Sequence, residues 1–209
     1  MPSAHLVSAV MADYLAPALR AEGWKRTGTS FRWTDDSGDQ AVIALRRSQG
    51  ARPDWDKLSV NAALWTAAYI DLKRAVGSIR GNPSGERGVF TARVGDPDTE
   101  FPWWELTPDT AESCGRRLVE VVAGHVAPIL RASLDRKYLL ALRRSDSGPP
   151  GLRWLALDGL LVLLALTIDD GPSDELEQLI ARARSHNDGE VIESWARTRL
   201  ATRDGSHAQ

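Results

Sequence analysis

The sequence predicts an α+β fold: an antiparallel meander of about four strands packed on helices, followed by a helical C-terminal appendage. Three observations carry that reading. Apolar residues recur at helical spacing over residues 5–22. Alternation of period two then marks Trp24–Trp33, Gln40–Ser48, Lys57–Thr66 and Gly88–Val94. From Asp109 onward the pattern is helical again.

The first helix places Val7, Val10, Met11, Tyr14, Ala18 and Leu19 along one side, with Pro17 near its end and Gly23 as its stop. The stretch GWKRTGTSFRW, Gly23 to Trp33, reads as one strand with Phe31 and Trp33 on one face and Arg32 on the other. A turn over Asp35, Asp36, Ser37 and Gly38 leads into the strand carrying Val42, Ile43 and Leu45. The third strand alternates Leu58, Val60, Ala62 and Leu64 against Ser59, Asn61, Ala63 and Trp65. This is the signature of a sheet packed on one face. A helix over 67–80, a loop from Gly81 to Gly85 and the Gly88–Val94 strand follow.

The acidic, proline-rich loop GDPDTEFPWWELTPDT precedes a helix running to about Leu130. Asp109 is its expected N-cap, with Glu112 three residues on. Its expected apolar face holds Cys114, Leu118, Val121, Val122, His125 and Val126. A short helix over Asp135–Arg144 ends at the linker SDSGPPG, which divides an α+β domain (1–144) from a helical subdomain (152–201) expected to dock on it. Within the subdomain Arg153–Ile168 reads as an apolar helix, Ser173 and Asn187 open two more, and the chain is expected to lose order from about Thr202. LAPALRA and VAPILRA, Leu15–Ala21 and Val126–Ala132, echo each other, as two proline-containing helix ends can without common descent.

Composition bounds the function. Of 209 residues, 43% are hydrophobic and 26% charged, enough for a sizeable core. The net charge of -2 disfavours nucleic acid as a partner. The lone Cys114 permits no internal disulfide, and the N-terminal residues lack a signal-peptide pattern, so a cytoplasmic location is expected. The run Leu155–Ile168 is too short to span a bilayer, so no membrane partner is expected. Rich Ala, Arg and Asp usage points to a GC-rich bacterial source.

The order of Gly23-Trp24-Lys25, Phe31-Arg32, Val42 to Ser48 and Val60-Asn61, followed by a Trp-Trp-Glu segment and a long helix, resembles an uncharacterised bacterial family, domain-of-unknown-function family 4304. The resemblance covers roughly residues 4–130. Members typically show Ile-Asn-Phe-Gln-x-Ser in the second strand, where this chain has Ile43-Ala44-Leu45-Arg46-Arg47-Ser48. The resemblance therefore implies a fold and no activity.

Sites of chemistry are sparse. His5, His125, His186 and His207 are scattered, so no metal or cofactor is expected, and His125 reads as a core histidine. Cys114 sits on an apolar face and reads as inert. No nucleophile elbow, Walker loop or dinucleotide fingerprint occurs. The carboxylates are many and dispersed; the dense set Asp96, Asp98, Glu100, Glu105 and Asp109, in a proline-rich loop, is the basis of a hydrolase alternative. Of the tandem Trp103 and Trp104, one ring is expected to close the core and the other to reach the surface. Strand alternation collects Arg32, Arg46, Asn61, Trp65 and Arg93 on the outward sheet face. With Trp104 these form the expected contact set of a non-catalytic protein-interaction module, such as a toxin-protective or accessory protein. Single-stranded nucleic acid stacking on Trp65 is the further alternative.

Overall fold

Helix α1 (Ala4–Val10) passes without a break through a π-helical segment, Met11–Leu15, into α2 (Ala16–Ala21). Far along the chain, α4 (Ala111–Leu118) passes through a second π segment, Val119–Val126, into α5 (Ala127–Ala132). The computed structural model of the chain describes residues 4–48, 54–98, 103–155 and 159–206, with backbone alone at 4–5 and 203–206.

The two long helices share a construction. Each π segment comes just before a proline, Pro17 or Pro128, at the second position of the following α-helix. The Ala16 and Ala127 N–H groups donate five residues back, to Met11 and Val122. A proline ring crowds the carbonyl four residues earlier, and the wider π turn lies where that carbonyl falls. The buried residues also step by four: Val7, Met11, Leu15, Leu19 in one helix, and Cys114, Leu118, Val122, Val126, Leu130 in the other. On a pure α-helix a step of four over-rotates by about 40° each time. Wider turns offset that drift and keep the stripe facing the core. This also corrects one sequence expectation: His125 falls off the stripe and is exposed, not a core histidine. The helices meet where Gly115 faces Tyr14, and a Cβ on Gly115 would stand 2.7 Å from that ring.

Among the described residues the sheet has seven strands, in the order β1 (Lys25–Thr27), β2 (Ser30–Thr34), β3 (Gln40–Arg47), β4 (Asp56–Trp65), β5 (Phe90–Val94), β7 (Trp154–Leu155). Strand β6 (Trp104–Leu106) pairs with the first residues of β4, and all the pairings are antiparallel. The Trp24–Trp33 stretch is thus a hairpin rather than one strand. Thr27 pairs with Ser30 around Gly28, whose φ of +60° suits the first loop position of a primed turn.

Register aligns Phe31, Ile43, Ala62, Ala92 and Trp154 across one face. Leu45 and Val60 form the next row, and Leu64 and Phe90 a third. This face meets α1 and α5. Burial of each large apolar side chain is worth about 1.5–3 kcal/mol. A one-residue slip would trade these rows for Arg32, Arg46 and Arg93, so register is strongly specified.

The tail joins the same core. The buried apolar side chains form one cluster from Val7 to Leu200. Helix α7 (Gly159–Thr167) lies against α3 (Ala67–Ala75), α6 (Arg136–Arg144) and α8 (Asp174–Ala183). Ion pairs tie the turn after α7 to its neighbours: Arg136 of α6 meets Asp169 (3.2 Å) and Asp170 (2.6 Å), and Arg199 of the last helix meets Asp169 (2.7 Å) and also Asp71 of α3 (2.9 Å). Burial alone would lower the Arg199 pKa, but Asp169 and Asp71 outweigh it and hold the guanidinium charged.

Other boundaries moved for local reasons. Trp154 and Leu155 pair with β5 instead of starting the apolar helix, which is described over Gly159–Thr167. The N-cap before α4 is Thr110, not Asp109; Thr107 and Thr110 bond each other there. The last helix, α9 (Gly189–Ser206), continues past Thr202, where loss of order was expected. Asp135 and Ser173 do cap α6 and α8, accepting from the N–H groups of Tyr138 and Leu176.

Candidate functional site, a polar sheet face with one open end

The face of the sheet opposite the apolar rows carries Arg32, Arg46, Ser59, Asn61, Trp65, Thr91 and Arg93, as strand alternation requires. The structure brings all seven to one side but does not leave them all open. Residues 81–88, between α3 and β5, lie across part of the face as a strap.

Under the strap, Trp65 is fully buried and its Nε1–H donates to the Ser84 carbonyl at 2.8 Å. Asn61 is 4% exposed, and its Nδ2 donates to Glu86 at 3.1 Å. Arg32 is half-buried, with Nη2 donating to the Pro83 carbonyl at 3.0 Å. These three expected contact residues therefore face the chain itself. Trp104 is also out of reach, being fully buried with Nε1 donating to the Val94 carbonyl at 3.0 Å. One ring of the tandem pair does reach the surface region, but it is Trp103. Trp104 sits opposite Leu58 in the apolar layer, and its neighbour must then point the other way.

Arg46 and Arg93 remain exposed, at the open end of the face. With Arg47, Lys57, Ser59 and Trp103 they line a groove of about 400 Å³. Three of its four cations have carboxylate partners. Arg46 meets Glu86 at 2.8 Å, Arg47 meets the fully buried Asp56 at 2.6 Å, and Lys57 meets Glu105 at 3.1 Å. Arg93 has no ion pair among the described residues. The Lys57 ammonium also lies 4.6 Å from the centre of Trp55 and 5.1 Å from that of Trp103. Such rings hold a cation through their negative faces. Among the described residues the groove is therefore net positive, with an aromatic wall. It suits carboxylates, which guanidinium forks grip in pairs.

A second groove of about 420 Å³ lies between Trp24, Trp33, Pro128 and Arg131. Its charges are already satisfied: Arg131 stands 4.9 Å over Trp33 and pairs with Glu22 at 3.3 Å.

Among the described residues, the carboxylates of the acidic loop turn to basic partners or to solvent. Asp96 is buried and accepts from Arg117 at 2.8 Å, which also reaches Asp98 at 3.3 Å. Glu105 turns to Lys57, Asp109 is exposed, and Glu100 lies outside the described residues. Among the described residues no three metal-ligating side chains converge; His207 and the side chain of His5 lie outside them. Burial pushes the Cys114 thiol up to about 11, against the pull of Arg117, so it stays protonated at neutral pH. No described helix is long and apolar enough to cross a membrane.

Sequence reasoning missed Arg47, Lys57 and Trp103 as groove residues. A local signal existed for Lys57, two residues from Trp55 and so on the same side of the chain, whereas Trp103 joins them only through the pairing of β6 with β4. Comparison with known proteins adds no assignment: no family model, curated protein or solved structure matches this chain.

Proposed function

We propose that this chain is a non-catalytic, cytoplasmic protein-interaction module whose basic groove receives an acidic segment of a partner protein. A toxin-protective or other small accessory role fits this reading. The observation that supports it best is Arg93, an exposed guanidinium without an ion pair among the described residues, beside three paired cations and Trp103. The overall charge of -2 favours a local contact over bulk phosphate binding. Nucleic-acid stacking on the sheet lacks its platform, because Trp65 is buried. The resemblance to family 4304 enters only as a proposed kinship and adds no residue to the site.

The test is titration of a labelled hexaglutamate peptide, read by anisotropy, with a single-stranded oligonucleotide in parallel. Peptide binding should fall about tenfold in Arg93→Glu, the loss of roughly one charge-assisted contact. The unfolding midpoint should stay unchanged, because the Arg93 side chain is exposed and makes no ion pair among the described residues. Equal binding by both chains, or preference for the oligonucleotide, contradicts the proposal.

A further inference from the structure

The strap over residues 81–88 touches the polar face in the manner of a bound peptide. It offers two main-chain carbonyls, of Pro83 and Ser84, and one carboxylate, of Glu86. One Glu86 oxygen serves both Asn61 and Arg46. Gly85 lies so close to the sheet that a Cβ there would stand 2.8 Å from the Ala44 Cβ and 3.0 Å from the Asn61 carbonyl oxygen. The fit is incomplete at one place. Arg32 gives Nη2 to a neutral carbonyl, while Nε and Nη1 are buried with no partner among the described residues. Burial lowers the Arg32 pKa, as expected of a cation without a counter-charge. A buried guanidinium is ordinarily paired, and leaving its donors unmet is costly.

From this mismatch we infer that Arg32, Asn61 and Trp65 form a second part of the binding surface. It accepts an acidic segment that takes the place of the strap and follows its bent path. One carboxylate of that segment occupies the Glu86 position. Another, three residues earlier, occupies the Pro83 position and gives Arg32 its missing counter-charge. The inference rests on the reading of the groove as a site for an acidic partner, and Arg46 belongs to both parts. The strap competes as an intramolecular ligand, so its effective concentration masks the surface until a better-matched segment arrives.

The experiment uses two labelled peptides: residues 80–89 of this chain, and the same peptide carrying Pro83→Glu. They are titrated against the natural chain, Gly85→Val and Glu86→Ala. Gly85→Val lifts the strap by its clash with Ala44, which hydrogen exchange at 81–88 verifies. Glu86→Ala removes only the carboxylate and covers the case in which Gly85→Val does not fold. Both variants should bind at least about tenfold tighter than the natural chain. The Pro83→Glu peptide should bind tighter than the plain one, and adding Arg32→Ala should erase that difference. Equal binding of each peptide by natural and variant chains, with the strap verified as lifted, overturns the inference. So does a Pro83→Glu advantage that survives Arg32→Ala. Failure here with hexaglutamate binding intact removes the strap alone; loss of hexaglutamate binding with these gains retained removes the groove reading alone.

Discussion

The two halves of the polar sheet face are made from the same strands and the same residue types, yet one is shut and the other open. In the shut half, Asn61, Trp65 and one Arg32 nitrogen donate to residues 83–86. In the open half, Arg46, Lys57 and Arg93 surround a groove, and the carboxylates among them leave a positive remainder. Composition does not distinguish the halves. What does is a glycine at 85, small enough to let a loop touch Ala44. A surface predicted from strand alternation is therefore only an upper bound on what solvent sees.

The comparison sharpens through substitutions of decreasing effect. The largest is Arg47→Ala, at the edge of the open half, where alternation turns its side chain toward the apolar side of the sheet and Asp56. It leaves the fully buried Asp56 carboxylate without its guanidinium, and breaking such a pair costs about 3 kcal/mol. Chemical denaturation should show that loss, while Arg93→Glu in the same half shows none. If Arg47→Ala were neutral, the open half would have no structural anchor and the contrast would fail.

Next is Trp65→Phe, in the shut half. It keeps the ring and its contact with Tyr69, 5.5 Å away, but gives up the donor to Ser84. The cost should be about 1 kcal/mol, accompanied by faster hydrogen exchange at 81–88. Unchanged exchange would mean that the strap is held without the face beneath it.

The smallest effect lies at Asp39, which accepts from the Ala67 N–H at the start of α3, the helix that leads into the strap. Burial raises its pKa, and the Ala67 bond only partly opposes this. Between the ordinary carboxylate value and the raised folded one, the folded chain holds the extra proton. Stability therefore falls as pH rises through that window. Asp39→Asn keeps an acceptor for Ala67 and removes the charge, so the variant should lack that fall and gain on the natural chain above it. Parallel pH–stability curves would show that the carboxyl is not perturbed.

Much of this was legible in the sequence because period two is rigid. Once Phe31, Leu45, Val60 and Phe90 were assigned inward, Arg32, Arg46, Asn61 and Arg93 had to point outward, and they do. Three things were not legible for physical reasons. The hairpin inside GWKRTGTSFRW depends on Gly28 at positive φ, and one glycine in a strand pattern signals a bulge as readily as a turn. The choice between Trp103 and Trp104 depends on the pairing of β6 with β4, a long-range contact that no local pattern carries. The strap was read as an ordinary loop, since nothing in Pro83-Ser84-Gly85-Glu86 marks where its carbonyls go. By contrast, the step of four in 7, 11, 15, 19 and again in 114, 118, 122, 126, 130 was available as a sign of widened helical turns.

The measurement that bears most directly on the division of the face is an amide and indole nuclear magnetic resonance map of the natural chain during titration with hexaglutamate. Shifts should gather at Arg46, Lys57, Ser59, Arg93 and the Trp103 indole, with little change at Trp33 and Arg131, where charge is already balanced. Shifts confined to the Trp33–Arg131 groove, or spread evenly over the surface, would contradict the assignment of the open half as the binding site.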